Sequence, residues 1–416
     1  MPDPLGYSIF LEPTDAVRAF EARGELKPTV RWSEMMHQNH ASAFTVAKIA
    51  RLDLLRAIQA SLDEQIRDGG SFDRWKAAIL PELQRAGWWG AVQDRELTGT
   101  DERIVVNERR LRVIYNTNIR MSIAAGHWAR IQRQKSVFQF LRYVPSTSER
   151  KRLLHTTWYG IVLPVDHPWW QTHFPPNGWG CKCGFEQVSQ RRLERMGWSV
   201  TPEDQLPQGD PREFVAATGE VFQVPPGIDP GFSYNPGTAH LRAVADKAAA
   251  SIAAAADAGL DEAARQTLRE IVDDAAFEQF LALPDPSFPV MILDDVNRRA
   301  LDVRAAVAVL SEETLEKQAR TRALPTSVYR QLPGIGDAPD IVVREVSEDG
   351  SVALKLLKWI DGQWTVTIVK RTRSGLALFV TSVRRQNDAS LARLVRGTEI
   401  ISGRDILAGR GIDVGE

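Results

Sequence analysis

Both cysteines of the chain lie close together, and several histidines lie nearby in the sequence. Cys181 and Cys183 form a Cys-x-Cys pair that follows His155 and His173. Thiolate and imidazole groups are zinc ligands, so one or two histidines would complete a structural zinc site. Two alternatives remain open: the thiols pack as small apolar groups, or a cysteine and a histidine form a catalytic pair. A bridge within Cys-x-Cys would close a strained ring, so we expect free thiols or a metal site.

The segment that holds the cysteines, residues 166–193, cannot form a regular helix or strand. It contains three tryptophans, the Pro175-Pro176 pair and the Asn177-Gly178 pair. Consecutive prolines lack backbone donors and have a fixed φ, and Asn-Gly is a strong turn signal. A rigid loop is therefore predicted. Its tryptophans, and Trp88-Trp89 upstream, form either a small core or an exposed binding surface, and we favour a core for most of them.

The residue order of this loop resembles the signature of the F-like minor head proteins of Mu-type bacteriophages. In that family an Arg and His pair and a Gly precede an aromatic residue, a Pro-Pro-Asn-Gly turn, Cys-x-Cys and a hydrophobic-Ser element. The matching positions here are Arg152, His155, Gly160, Trp170, Pro175, Pro176, Asn177, Gly178, Trp179, Cys181, Cys183, Val188 and Ser189. The resemblance continues to the run GIDPGFSYNPG that starts at Gly227. An acidic residue expected shortly before the Arg has Glu149 as its candidate.

The resemblance implies a structural role. The expected function is that of a minor head protein of a Mu-like phage or prophage, acting in procapsid assembly near the portal and in DNA packaging or ejection. The implied partners are the portal protein, the scaffold, the major capsid protein and packaged DNA. The implied location is the capsid interior or the portal vertex, and the host cytoplasm during assembly. The loop would act as a rigid clamp and not as an active site.

Composition and charge set the remaining bounds. The net charge is −1, so the whole molecule gives no electrostatic argument for nucleic acid, although the basic residues are concentrated locally. The amino terminus has no basic region followed by an apolar core, and no apolar run is long enough for a membrane span. We therefore expect neither a signal peptide nor a membrane partner. No nucleotide-hydrolysis or protease motif occurs.

A long amphipathic helix beginning near Ile104 is the clearest periodic element. Its apolar face carries Leu111, Ile114, Asn118, Met121, Ala125 and Trp128. Its other face carries five arginines that are candidate contacts for DNA or for an acidic partner, unless they are only solvated. These are Arg109, Arg112, Arg120, Arg130 and Arg133.

The predicted fold class is α+β, in three parts. Residues 1–236 form a mainly helical region around the rigid loop, residues 237–284 an Ala-rich helical connector, and residues 285–416 a small domain of helix plus antiparallel sheet. Within the first part, helices are expected at residues 15–24, 33–65 and 71–86, followed by the residue 166–193 loop, a short helix at 187–196 and an extended segment at 202–237. Turn pairs such as Asp349-Gly350 and Asp361-Gly362 separate the predicted strands of the last part.

The carboxy-terminal part resembles the barnase/EndoU/RelE-like nuclease modules of phage proteins. This resemblance implies the alternative function, a virion-delivered ribonuclease-like effector that needs no metal. Phosphate-binding cations would include Arg371, Arg373 and Arg385, and the candidate catalytic residues are Lys370, Arg384, Thr381 and Tyr329. All seven histidines lie at or before His240, so the usual acid and base of such chemistry is missing from this part. An inactive copy of the fold is the competing interpretation.

Overall fold

The structure, a computed structural model, describes residues 14–321, 323–372 and 374–412. It divides into two compact units, Met1–Ala243 and Val244–Glu416, which are described separately. The predicted α+β class is confirmed, with a mainly helical first unit and a sheet in the second. No described helix is both long enough and apolar enough to cross a membrane.

Helices dominate the described part of the first unit. They are α1 Thr14–Glu21, α2 Leu52–Asp68, α3 Phe72–Arg85, α4 Arg95–Thr98, α5 Glu108–Gln134, α6 Leu153–Thr156, α7 Trp170–His173 and α8 Gln190–Met196. The strands between them are short. They are β1 Glu25–Leu26, β2 Ala43–Phe44, β3 Gly90–Val92, β4 Ile104–Val106, β5 Phe140–Val144, β6 Val162–Pro164, β7 Gly184–Val188, β8 Arg212–Val215 and β9 Val221–Val224.

Local signals explain where the early helices begin and end. Ser71 caps α3 through its side chain, and Gly69 ends α2 in the left-handed conformation. The helix predicted over residues 33–65 is wrong in its first half. Residues 32–41 form 3-10 turns and Ala43–Phe44 pairs with Glu25–Leu26, so α2 starts only at Leu52. Most apolar residues of that half are still buried, although they lie in an irregular part of the chain.

Helix α5 passes through the core of the first unit. It begins at Glu108 and not near Ile104, because Ile104–Val106 pairs with Gly90–Val92 and Asn107 caps the helix. The predicted apolar face is buried, except that Asn118 is half-buried. Helix α1 packs closely on α5, and α2 and α3 complete this layer.

A three-stranded antiparallel sheet in the order β6-β5-β7 frames the predicted loop. The segment predicted as a helix over residues 187–196 therefore starts as the last strand and becomes helical only at Gln190. The extended segment that follows is confirmed in outline, with one hairpin formed by β8 and β9.

The second unit combines helices with a seven-stranded sheet. The helices after α9 Pro236–Asp257 are α10 Asp261–Asp273, α11 Ala275–Ala282, α12 Asp295–Leu301, α13 Glu312–Thr321, α14 Thr326–Tyr329, α15 Leu332–Asp337, α16 Asp388–Val395 and α17 Arg404–Gly409. The strands are β10 Ser287–Ile292, β11 Val307–Ser311, β12 Ile341–Val346, β13 Val352–Ile360, β14 Gln363–Arg371, β15 Leu378–Gln386 and β16 Glu399–Ser402.

The predicted antiparallel meander is present as β12-β13-β14-β15. The sheet order is β10-β11-β15-β14-β13-β12-β16, so it extends further on both sides than the turn pairs indicate. The pairing of β11 with β15 is parallel, a departure from the predicted antiparallel sheet. A helix connects β11 to the rest of the chain, as a parallel neighbour requires.

Candidate functional site

The loop between β6 and β7 is held by side chains buried beneath it. Trp170 is fully buried, and its Nε1 donates to the Pro164 carbonyl at 3.1 Å. Asn177 is also fully buried, and its Nδ2 donates to the Tyr143 hydroxyl at 2.9 Å and to the His173 carbonyl at 3.0 Å. These bonds fix the Pro175–Pro176–Asn177 turn, whose proline–proline peptide is cis, against strand β5.

His155, Cys181 and Cys183 form one buried cluster next to this turn. Their potential ligand atoms all lie within 4.8 Å of one another. His155 Nδ1 is 3.8 Å from Cys181 Sγ and 3.4 Å from Cys183 Sγ. The other ring nitrogen, Nε2, donates to the Gly227 carbonyl at 2.8 Å. Since a carbonyl can only accept, Nε2 carries a proton, and Nδ1 faces both sulfur atoms.

The two thiols have opposite proton affinities. The hydrogen bond from Cys183 is the largest cause that holds the pKa of Cys181 well below its ordinary value, against the effect of burial. The same bond and burial raise the pKa of Cys183. Burial, above all, also raises the pKa of Tyr143 beside them. The arrangement therefore favours a negative charge on Cys181, which Cys183 and His155 stabilise.

His173, the other predicted metal ligand, lies apart from this cluster. It is not among the grouped ligand atoms, and its Nδ1 contacts the Thr172 hydroxyl at 2.7 Å. Its ring stacks on Trp169, with 4.2 Å between ring centroids. Burial lowers the pKa of His173 to about 4, so the ring is neutral at pH 7. His173 is thus part of the aromatic packing.

Arg152 joins the loop to the segment around residue 229. Its guanidinium binds both carboxylate oxygens of Asp229, at 2.7 and 2.8 Å, and donates to the Trp179 carbonyl at 3.0 Å. The backbone N–H of Trp179 donates to the same carboxylate at 2.9 Å. A Cβ on Gly178 would lie 2.5 Å from Asp229 Oδ2 and 2.6 Å from Arg152 Nη1. A side chain at this position would therefore displace the ion pair.

Asp229 is a site residue that is not predicted from the sequence as the partner of Arg152. The acidic residue expected before the Arg has Glu149 as its candidate, and Glu149 is exposed. The signal available was the acidic residue inside the GIDPGF run, which belongs to the family resemblance but lies 77 residues from Arg152. Sequence distance conceals this partnership, because the two residues meet only in the folded chain.

We expect the Arg152→Gln substitution to destabilise the protein by about 1–2 kcal/mol at pH 7, because it leaves a half-buried carboxylate without its bidentate partner. Burial raises the pKa of Asp229, but the bonds from Arg152 and Trp179 outweigh it, so the pKa is below its ordinary value. The contribution is therefore present above about pH 4 and is lost as the pH falls through the folded-state pKa. Thermal unfolding at about pH 7 and at a series of pH values below about 4 measures both effects.

Arg95→Gln is the matched control for this measurement. Arg95 pairs with Asp101 at 3.0 Å, but both side chains are largely exposed, so the loss should be below about 0.5 kcal/mol. Equal destabilisation by the two substitutions would show that the Arg152–Asp229 pair is only a surface contact.

The tryptophans of the loop divide between core and surface. Trp170 and Trp88 are fully buried, Trp169 and Trp89 are half-buried, and Trp179 is 41% exposed. The prediction that most of them form a core holds for all but Trp179. Gly160, another signature position, has a positive φ and precedes β6, where its conformation turns the chain into the sheet.

Trp179 stands at an apolar groove on the first unit. The groove encloses about 530 Å³. Trp179 contacts Trp32 edge-to-face at 6.0 Å and Phe232 at 4.9 Å, measured between ring centroids. The groove also has exposed valines, Val105 and Val113, and its lining includes Arg109 and Arg110. Exposed apolar side chains bordered by arginines are typical of a protein-binding surface.

The five candidate arginines of α5 have different environments. Arg112 pairs with Glu108 at 2.8 Å, and Arg133 pairs with Asp15. Arg120 donates to the Cys181 carbonyl at 2.7 Å, which ties α5 to the loop. Burial lowers the pKa of the half-buried Arg130, and Arg109 is exposed at the groove. Their contact with DNA or a partner stays a prediction.

The four candidate catalytic residues of the second unit do not converge. Lys370 is opposite Phe379 and Arg384 is opposite Val366, so the two are four positions apart, about 13 Å along the strands. Thr381 donates to the Ile368 carbonyl at 3.3 Å, and the buried Tyr329 donates to Gln318 at 2.9 Å. Arg371 and Arg385 pair with acidic residues, and Arg373 lies outside the described residues.

Comparison with known proteins supports the first resemblance. Residues 56–186 match the family model described as Phage Mu protein F like protein. The chain is 33% identical over 250 residues to the "Putative capsid assembly protein F" of Escherichia phage Mu, covering 56% of each chain. It is 34% identical over 179 residues to the "Mu-like prophage FluMu F protein" of Haemophilus influenzae, covering 42% of each. No solved structure matches the chain.

The chain thus spans about half the length of the curated relatives that it matches. The match to the family model includes Arg152, His155 and both cysteines, so the signature loop lies largely within it. The nuclease resemblance of residues 285–416 finds no support in these comparisons.

Proposed function

We propose that this chain is a minor head protein of a Mu-like phage or prophage that acts in procapsid assembly by docking on the portal protein. The observation that carries the proposal is that the signature shared with phage F proteins holds an exposed tryptophan at an apolar groove. Arg152, Gly178 and Asp229 fix the backbone on both sides of Trp179. In this proposal the signature residues support a binding surface, while both cysteines are buried.

The groove indicates the chemistry of its partner. Tryptophan and arginine are enriched among the residues that dominate binding energy, and here Trp32, Trp179 and Arg109 lie together. An apolar segment of the portal protein that carries an acidic residue fits this surface. Its side chains would displace water from the tryptophans, while the acidic group would pair with Arg109.

The groove and the arginines of α5 are better suited to docking on a protein than to binding DNA. A DNA surface needs cations that are available to phosphates, and each one adds to the salt dependence of binding. Arg112, Arg120 and Arg133 already have partners within the chain. Helix α5 would therefore contribute to packaging or ejection through its position in the head and not through a continuous basic stripe.

Replacing Trp179 by alanine tests the docking surface. The chain is co-expressed with the portal protein from the same genome, and the amount of portal protein that it captures is measured. Loss of a central tryptophan costs 2 kcal/mol or more at a typical hot spot, so we expect capture to weaken by roughly 30-fold.

The matched control is Trp359→Ala. Trp359 is 38% exposed, close to the exposure of Trp179, but lies on the sheet of the second unit. Capture should be unchanged by this substitution. Equal capture by wild type and Trp179→Ala would contradict docking through the groove, and an absence of capture by wild type would contradict docking on the portal.

A further inference from the structure

We propose that His155, Cys181 and Cys183 bind a single zinc ion that fastens the signature loop to the rest of the first unit. This inference is independent of the proposed function, because a metal in the loop can be measured whether or not the chain binds a portal. The ligands come from two parts of the sequence: His155 lies in the short helix α6, and Cys181 and Cys183 lie in the irregular segment immediately before β7.

The distances between the three side chains match a tetrahedral zinc site. Zinc binds cysteine sulfur at about 2.3 Å and histidine nitrogen at about 2.0–2.1 Å, which places nitrogen and sulfur ligands about 3.6 Å apart in a tetrahedron. The observed separations from His155 Nδ1 are 3.4 Å to Cys183 and 3.8 Å to Cys181. A zinc ion between Nδ1 and the two sulfur atoms would be bound by the single lone pair of Nδ1 and by both thiolates.

The surroundings of the ligands are those of a metal site. A zinc-binding histidine usually donates its other N–H to a carbonyl or carboxylate, which fixes the ring, and Nε2 of His155 donates to the Gly227 carbonyl. The Cys181 carbonyl is held by Arg120 at 2.7 Å.

One polar atom beside the cluster also needs a partner. The side-chain oxygen of Asn177 is buried and has no hydrogen-bond partner among the described residues. The side-chain nitrogen of Asn177 already donates to the Tyr143 hydroxyl and the His173 carbonyl. The remaining side-chain atom is therefore the oxygen, which can only accept a hydrogen bond. A water molecule in the fourth position on zinc would donate a hydrogen bond to the Asn177 side-chain oxygen. All three protein ligands are buried, so the protein would shield the ion from solvent.

Elemental analysis of the full chain tests this proposal. The protein is purified without chelator from cells grown with added zinc, and zinc is measured by plasma mass spectrometry. We expect about one zinc per chain in the wild type. Cys181→Ser and His155→Ala should reduce this to a small fraction, whereas His167→Ala should leave it unchanged. His167 is the matched control because it lies in the same loop but bonds Glu203.

Cobalt binding provides a second measurement that does not depend on how the variants fold. Cobalt(II) added to the chelator-treated wild type should give a thiolate-to-metal absorption band, which two cysteine ligands require. Folded wild-type protein with far less than one zinc per chain and without this band would overturn the proposal. Retention of full zinc by folded Cys181→Ser would overturn the ligand assignment.

Discussion

Replacing Trp170 by alanine is expected to cost about 3–5 kcal/mol of stability, because it removes a fully buried tryptophan from the signature loop. Trp170 is fully buried, and its ring contacts Trp169 edge-to-face at 4.9 Å between centroids. The substitution also leaves the Pro164 carbonyl without the indole donor. Thermal or urea unfolding of the full chain measures the loss.

Trp179→Ala is the comparison for this result. Trp179 belongs to the same loop but is 41% exposed, so its removal should change stability by no more than about 1 kcal/mol. Similar destabilisation by both substitutions would contradict the division of the loop into a buried core and an exposed binding residue.

The second large effect is expected from Gly126→Ala in the middle of α5. Helix propensity alone predicts a gain of about 1 kcal/mol from this change. However, a Cβ at this position would lie 2.6 Å from the Ala16 backbone nitrogen and 2.8 Å from the Asp15 carbonyl carbon. Backbone atoms cannot rotate away, so α1 must shift, and we expect a net loss of about 1–3 kcal/mol.

Gly334→Ala is the control for the packing argument. Gly334 lies in α15, and a Cβ there would meet nothing within 4 Å. This substitution should be neutral or stabilising by up to about 1 kcal/mol. A gain in stability from Gly126→Ala, measured in the same unfolding experiment, would show that α1 does not pack on α5 as closely as described.

Local signals predicted much of the fold because they act within a few residues. The helix predicted over residues 71–86 is present as α3, and the turn pairs of the second unit lie between strands as predicted. The apolar spacing of α5 also identified its buried face. These features depend on backbone geometry and on helix periodicity, which a single sequence contains.

The failures come from pairing between distant segments. Helix α2 starts after the predicted position because Ala43–Phe44 pairs as a strand with Glu25–Leu26. No local sequence pattern predicts this pairing. The parallel pairing of β11 with β15 joins residues about 70 positions apart. Strand propensity indicates that a segment is extended, but its neighbour is chosen by tertiary packing.

The predictions for the site succeeded and failed for the same reasons as those for the fold. Residue types predicted the approach of His155 to Cys181 and Cys183, because their chemistry is shared. Residue types did not distinguish His173 from the true members of the cluster. Its ring packs against Trp158 and Trp169 instead. Nor did residue types identify Asp229 as the partner of Arg152, since only the folded chain brings these two residues together.

The most direct test of the assembly role is native mass spectrometry of the chain co-expressed with the portal protein from the same genome. We expect a stable complex with a defined number of chains per portal ring. A chain that remains unassociated in the presence of assembled portal, although it is folded and soluble, would contradict the proposal that it docks on the portal during procapsid assembly.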